Sequence, residues 1–209
     1  MKRVVGGVSA LVCAALLAGC APNGGALIAA NVPDPKLSAH DKEMLALAPA
    51  EEARIPIYRN LVKYDSKEAV GTIIIDTPNK KLYFLLPKGE AIQYQVAVGA
   101  EGFGWTGTAA VGNKVEWPQW MPTASIMQRW PEFKVYLQHG PLAGAYDNPL
   151  GARALYLYQG NHDTLYRIHG TNEPSEIGQN VSSGCIRMRD LDVIDLYNRA
   201  KVGTKVVVI

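Results

Sequence analysis

The sequence predicts a mostly β domain with one helix near its C-terminus, and three observations carry that prediction. Short runs rich in Ile, Val, Leu and Tyr recur from residue 71 onward, separated by clusters of Pro, Gly, Asn and Lys. One of them, AIQYQVAVG, sets Ile92, Tyr94, Val96 and Val98 against Ala91, Gln93, Gln95 and Ala97, the two-residue period of a half-buried strand. Beyond residue 150, only LDVIDLYNRAK has a helical pattern.

Taken in order, Ser38 to Leu47 reads as a short helix stopped by Pro49, and the folded domain begins between Arg54 and Gly71. GTIIIDT, LYFLL and AIQYQVAVG, joined by Pro-Asn-Lys-Lys and Pro-Lys-Gly-Glu, predict an antiparallel meander. Residues 99–150 lose the periodicity, carry many Gly and Pro, and hold Trp105, Trp117, Trp120 and Trp130. A long insertion without regular structure is functional or disordered, and its Trp content argues against disorder. Packing over the sheet is the expected role of these rings, with a sugar-binding platform as the alternative that can coexist with it. Asp147 and Asn148 before Pro149 read as turn residues. RALYLYQ and TLYRIH form a hairpin about Gly160-Asn161-His162-Asp163. Asp190 is placed to cap the helix, Gly203 to end it, and TKVVVI closes the chain as a strand.

The first residues bear on where the protein works. Met1-Lys2-Arg3 is basic, and VVGGVSALVCAALLAG is apolar and small, the layout of a secretory leader too short and Gly/Ala-rich for a good membrane span. It ends in Leu17-Ala18-Gly19-Cys20, which resembles a bacterial lipobox. That resemblance implies cleavage before Cys20, lipid on its sulfur, and a periplasmic protein anchored to a membrane, the outer one favoured because Ala21 rather than Asp follows. The expected organisation is a leader at 1–19, a Gly/Pro/Asn/Ala-rich tether and extension at 20–65, and the main folded domain at 66–209.

Cys13 then leaves with the leader and Cys20 carries lipid, so Cys185 is a lone thiol in an exported protein. Exported proteins normally pair their cysteines, which tilts Cys185 toward chemistry. Without Lys2 and Arg3 the chain has 19 basic against 19 acidic residues, and no basic run marks a phosphate track; no nucleic-acid partner is expected. His40, His139 and His162 show no ligand spacing, and His169 with Cys185 makes half a tetrahedral set, so neither a metal nor any other cofactor is expected.

The chemistry concentrates in RIHGTNEPSEIGQNVSSGCIRM, Arg167 to Met188. His169 ends a predicted strand and Gly170 breaks it, which sets the imidazole at a rim. Cys185 follows Ser182-Ser183-Gly184 just before the helix. Gly184 permits close approach of a carbonyl, and backbone N–H groups around Gly184 and Cys185 could form an oxyanion hole. His169 supplies a base for the thiol. Arg187 favours the thiolate, holds a substrate carboxylate or braces the loop.

His169-Gly170 and Ser182-Ser183-Gly184-Cys185-Ile186-Arg187 resemble the active-site signature of the L,D-transpeptidases, the YkuD-type catalytic domain. DNPLGARALYLY, YRIHGTNEP and DVIDLYNRAKVGTKVVVI extend the likeness, in a form similar to Gram-negative members. Ser183 departs from the His that many members carry before Gly-Cys, and Gly104-Trp105 stands where many have Thr-Pro. The resemblance implies a β-sandwich-like catalytic domain whose substrate is the tetrapeptide stem of peptidoglycan. Cys185 would attack the third residue and expel the terminal D-Ala, with His169 as base and acid, Gly184 in the oxyanion hole, and Gly170, Ser182, Ser183 and Arg187 against the substrate. An amine on another stem would give a 3→3 cross-link, the Lys of an outer-membrane lipoprotein would give anchoring, and water would give trimming by an L,D-carboxypeptidase. His169 needs an orienting group; no Asp or Glu is obviously placed for it, and a backbone carbonyl would serve. The alternatives are another cysteine acyltransferase, whose His–Cys order and spacing fit less well, a non-catalytic peptidoglycan-binding module, and a structural envelope lipoprotein.

Overall fold

A meander of short β-branched runs needs a partner for each edge, and here one sheet supplies most of them. The computed structural model describes residues 27–29, 32–49, 59–100 and 104–209. The leader, Cys20 and parts of the tether and extension lie outside these. Among the described residues no helix is long and apolar enough to cross a membrane.

Strands β1 (Leu27–Ala29), β2 (Asn60–Lys63), β3 (Ile73–Asp76), β4 (Lys81–Leu86), β5 (Glu90–Gln95), β7 (Gly107–Glu116), β8 (Arg153–Gln159), β9 (His162–His169), β11 (Ile186–Arg187) and β12 (Lys205–Val208) form the main sheet. Its order is β1-β2-β5-β4-β3-β12-β7-β8-β9-β11. Strands β6 (Val98–Gly99) and β10 (Asn180–Ser182) make a small parallel pair. The expected meander is β3-β4-β5, antiparallel throughout. The C-terminal strand β12 enters the middle of the sheet, parallel to β3 and antiparallel to β7, and so joins its two halves. Residues from both halves, including Ile73, Leu82, Tyr94, Leu155, Ile168 and Ile186, share one core cluster, so the sheet wraps round it in the expected sandwich-like manner. At one end the opposite face is also covered, by Val62, Ile74, Tyr83, Leu85 and Ala91. Ala91 and Ala97 are therefore buried along with Ile92 and Tyr94, while Gln93 and Gln95 are half-buried.

The segment read as irregular differs from expectation. Its first part is β7, ten residues long and paired on both sides. The pairing skips Gly112, which bulges out between Val111 and Asn113; a Cβ there would lie 2.3 Å from the Tyr158 ring. The extra residue shifts the side-chain alternation out of phase, which hides the strand from a period-two reading. After it come α2 (Ala124–Arg129), a 3-10 turn (Pro131–Val135) and α3 (Tyr136–His139). Trp120 meets Phe133 and Tyr136 edge-on, and Trp105 stacks on Tyr166. Asn148 is more than a turn residue: fully buried, it donates to the carbonyls of Pro118 and Ala143 and accepts from Leu150 N, closing the excursion at its base.

Helix α1 (Ala39–Leu45) forms where expected, with Ser38 and Asp41 making a reciprocal capping box. Asp41 also accepts from Arg153 Nη2 at 2.8 Å and from Trp117 Nε1 at 3.0 Å. Burial opposes its ionisation, yet the bonds from Ser38, Arg153 and Trp117 hold its carboxyl below the ordinary value. Arg59, with no exposed surface, bonds the carbonyls of Pro33 and Leu191 and the carboxylates of Asp34 and Asp192. The N-terminal segment is thereby fastened to α4 (Asp190–Arg199). That helix starts at Asp190 as expected, but the Asp190 side chain does not cap it; Arg189 takes the cap position without a side-chain bond. Asp41→Ala takes the closest carboxylate from the buried Arg153 guanidinium and the acceptor from Trp117 Nε1, leaving Arg153 only the exposed Glu116 at 3.4 Å. We expect a loss of about 3–5 kcal/mol, read as a lower midpoint in urea denaturation.

Candidate active site

The Cys185 loop and the histidine strand meet because β11 pairs parallel with β9. Ile186 lies opposite Ile168, and Arg187 opposite His169. Both isoleucines are buried in the core. Alternation along each strand then puts His169 and Arg187 on the other face, with Arg167 and Cys185 beside them. The pairing is reinforced by Met188 N donating to His169 O at 2.8 Å, and by Arg187 and Ala97 exchanging both backbone bonds at 2.9 Å.

His169 ends β9 as the sequence predicted, but its ring is buried. Nδ1 lies 2.7 Å from the carbonyl oxygen of Gly170. A carbonyl only accepts, so Nδ1 carries the proton and Nε2 has the free lone pair. The orienting group left open by the sequence is therefore the adjacent backbone carbonyl. Burial, with the Arg187 charge, drives the imidazole pKa down to about 3, against the pull of the Gly170 carbonyl.

Cys185 is a free, half-buried thiol. Its Sγ lies 3.9 Å from the carbonyl of Leu165. Leu165 has φ +63° and sits in a bulge of β9 between the pairs Tyr156↔Arg167 and Tyr158↔Asp163. Burial pushes the thiol above its ordinary pKa, opposed by a backbone bond at Arg167 and by the Arg167 and Arg187 charges. Burial thus favours the neutral form of each group, the thiol at Cys185 and the imidazole at His169.

Gly184 has φ +117°, a conformation that favours glycine. Its N–H donates to Ser182 Oγ at 3.1 Å, and that hydroxyl donates to Cys185 O at 2.5 Å. Ser182 is buried, with both bonds spent inside the loop. Ser183 is exposed and accepts from Arg129 Nη1 at 3.3 Å, which links α2 to the Cys185 loop. Arg187 is engaged by Glu176, and Arg167 by Asp163 in a two-pronged contact at 2.7 and 2.9 Å. Gly170 is tightly enclosed: a Cβ there would meet Asp190 Oδ1 at 2.1 Å. The sequence reading missed Leu165, Arg167, Asp163, Glu176 and Asp190. The DTLYR spacing, an acid four residues before an arginine, was the one available signal. Beside the loop opens a cleft of about 480 Å³, lined by Gly99, Trp105, Asn180, Gly184 and Ile186. Trp105 Nε1 is buried without a hydrogen-bond partner.

With this geometry in hand, the comparisons can be placed. The YkuD sequence model, described as the L,D-transpeptidase catalytic domain, matches residues 71–208. The chain belongs to that family. Among its relatives, Probable L,D-transpeptidase YcfS of Escherichia coli is 36% identical over 141 residues, which cover 66% of this chain and 43% of that protein. The chain thus spans less than half the length of that relative, and the same share of ErfK/SrfK. A crystal structure from Brucella melitensis, named a probable carnitine operon oxidoreductase, is 40% identical and covers 77% of this chain and 99% of its own, with a TM-score of 0.51. The chemistry in that name is said of that protein. An L,D-transpeptidase of Enterococcus faecium shares the fold at 18% identity and a TM-score of 0.50, over 68% of this chain and 50% of its own.

In the unfolded chain His169 titrates near 6.5, in the folded one near 3. Between these values the unfolded state binds more protons, so stability is fully present above pH 6.5 and falls as pH drops toward 3. The slope from this group is at most ~1.4 kcal/mol per pH unit. Urea midpoints of wild type and His169→Gln from pH 7 to pH 4 should show the steeper acid loss in the wild type.

Proposed function

We propose that the protein is a cysteine acyltransferase acting on peptidoglycan tetrapeptide stems, with Cys185 as nucleophile and His169 as base and acid. The observation that carries this reading is the bond from His169 Nδ1–H to Gly170 O, which frees Nε2 on the face that Cys185 shares. Because burial favours the neutral form of both groups, the proton moves during attack rather than before it.

Cys185 Sγ adds to the carbonyl carbon of the third stem residue as its proton passes to Nε2. The oxyanion is met by the Cys185 amide and, once it leaves Ser182, by that of Gly184. Collapse breaks the peptide bond, and the terminal D-Ala leaves with the proton from the imidazolium. An acceptor amine then attacks the thioester and gives its proton to Nε2. The thiolate leaves and takes that proton back. Arg187 and Glu176 are placed to meet a carboxylate and an ammonium of the stem, and Trp105 Nε1 to donate to a carbonyl in the cleft. Of the other residues expected against the stem, Ser183 is exposed beside Gly184, while Gly170 and Ser182 are buried and act through the backbone they hold. The acceptor, whether a second stem, the Lys of an outer-membrane lipoprotein or water, decides between cross-link, anchoring and trimming.

Detergent-solubilised full-length protein incubated with tetrapeptide muropeptides should form an adduct on Cys185 with loss of D-Ala, read by mass spectrometry. Cys185→Ala should form none, and His169→Gln should acylate roughly 10²–10⁴-fold more slowly. Folded wild-type protein that forms neither adduct nor product would return the site to the binding-module reading. The anchor at Cys20 and the export it implies belong to the same proposal. Palmitate label should enter the wild type in growing cells and be absent from Cys20→Ala.

A further inference from the structure

We propose that Asp190 is a positioning residue that sets the proton-accepting face of His169 through the peptide between Gly170 and Thr171. This inference rests on the Cys185–His169 reading above. The carbonyl that holds His169 Nδ1 belongs to Gly170, and the N–H on the far side of the same peptide plane belongs to Thr171. That N–H donates to Asp190 Oδ1 at 3.3 Å. The peptide unit is planar and its C=O and N–H point in opposite directions, so fixing one end aims the other. Carboxylate, peptide and imidazole therefore stand in line, with a backbone amide interposed where a side chain would otherwise touch the ring.

Two further observations show that the surroundings are built around this one oxygen. Ala152 N also donates to it, at 3.0 Å. A Cβ at Gly170 would lie 2.1 Å from Asp190 Oδ1, and one at Gly151 would lie 2.2 Å from it. Both positions must stay without side chains for the carboxylate to enter. The preceding peptide is held as well, since Gly170 N donates to Arg153 O at 3.0 Å. Asp190 opens a ten-residue helix, where the unpaired N–H groups favour a negative charge. That charge, set against the Thr171 N–H, draws electron density toward the Gly170 oxygen and strengthens its grip on the imidazole N–H. Leu191 O and Asp192, the next two residues, are held by Arg59, so the first turn of the helix is fixed on its other side too.

The test uses the full-length protein and needs no stem peptide. Iodoacetamide alkylation of Cys185 is followed across pH in wild type, Asp190→Asn and Asp190→Ala. The His169 tautomer is read from ring ¹H–¹⁵N correlations, and folding is checked by thermal melts. Asn keeps the oxygen and loses the charge; we expect the Nδ1–H tautomer to persist and neutral-pH alkylation to fall about threefold. Ala loses both; we expect alkylation to fall about tenfold and the Nδ1–H tautomer to lose its dominance. A purely structural role would leave the tautomer and the pH profile of the folded variants as in wild type, and that result overturns the proposal. If Asp190→Ala fails to fold, Asp190→Asn decides by alkylation alone: a rate and pH profile unchanged from wild type overturn the proposal. Loss of muropeptide acylation with an Asp190-dependent alkylation profile would sink the substrate reading alone.

Discussion

Strand β11 is only two residues long, yet the site depends on its parallel pairing with β9. A parallel pair needs a crossover, and here the crossover is the run from Gly170 to Cys185 that also holds Glu176 and the serine-rich loop. A slip of one residue would turn Cys185 and Arg187 into the core and bring Ile186 out. Burial of Ile168 and Ile186 in one cluster is what forbids that slip. The hydrophobic effect thus sets the geometry of two polar groups it never touches.

The surroundings of those groups hold them neutral without leaving them unpaired. Burying an imidazole costs little when one nitrogen finds a carbonyl, and Gly170 supplies one within the same turn. The thiol is met by the Leu165 carbonyl, which a left-handed residue in a bulge turns toward it. Bulges beside sites commonly re-aim groups in this way. Ser182 spends its hydroxyl on the loop's own backbone, which keeps Gly184 in its unusual conformation before any ligand arrives.

Much of this was legible beforehand because it is local. The meander, the hairpin and the last helix follow from periodicity and turn residues, and the His–Gly and Ser-Ser-Gly-Cys motifs carry the family likeness in contiguous residues. What escaped is long-range or out of phase. Gly112 shifts the register of β7, so a ten-residue strand reads as irregular chain. Asp190 sits where a helix cap is expected, and only the folded chain reveals that its oxygen serves Ala152 and Thr171. Glu176 becomes the partner of Arg187 across eleven residues with no pattern to announce it. Asp41 and Arg153, 112 positions apart, could not be matched by any local rule.

Each guanidinium acting on Cys185 has its own carboxylate, Asp163 for Arg167 and Glu176 for Arg187. Opposite charges so closely matched cancel within a few ångströms, well inside the screening distance of physiological salt. The mouth of the cleft therefore casts little field into the solvent from these groups. Long-range attraction is then a minor part of how a charged ligand arrives, and capture should depend little on ionic strength. The rate of encounter is set instead by the local concentration of ligand groups around the cleft.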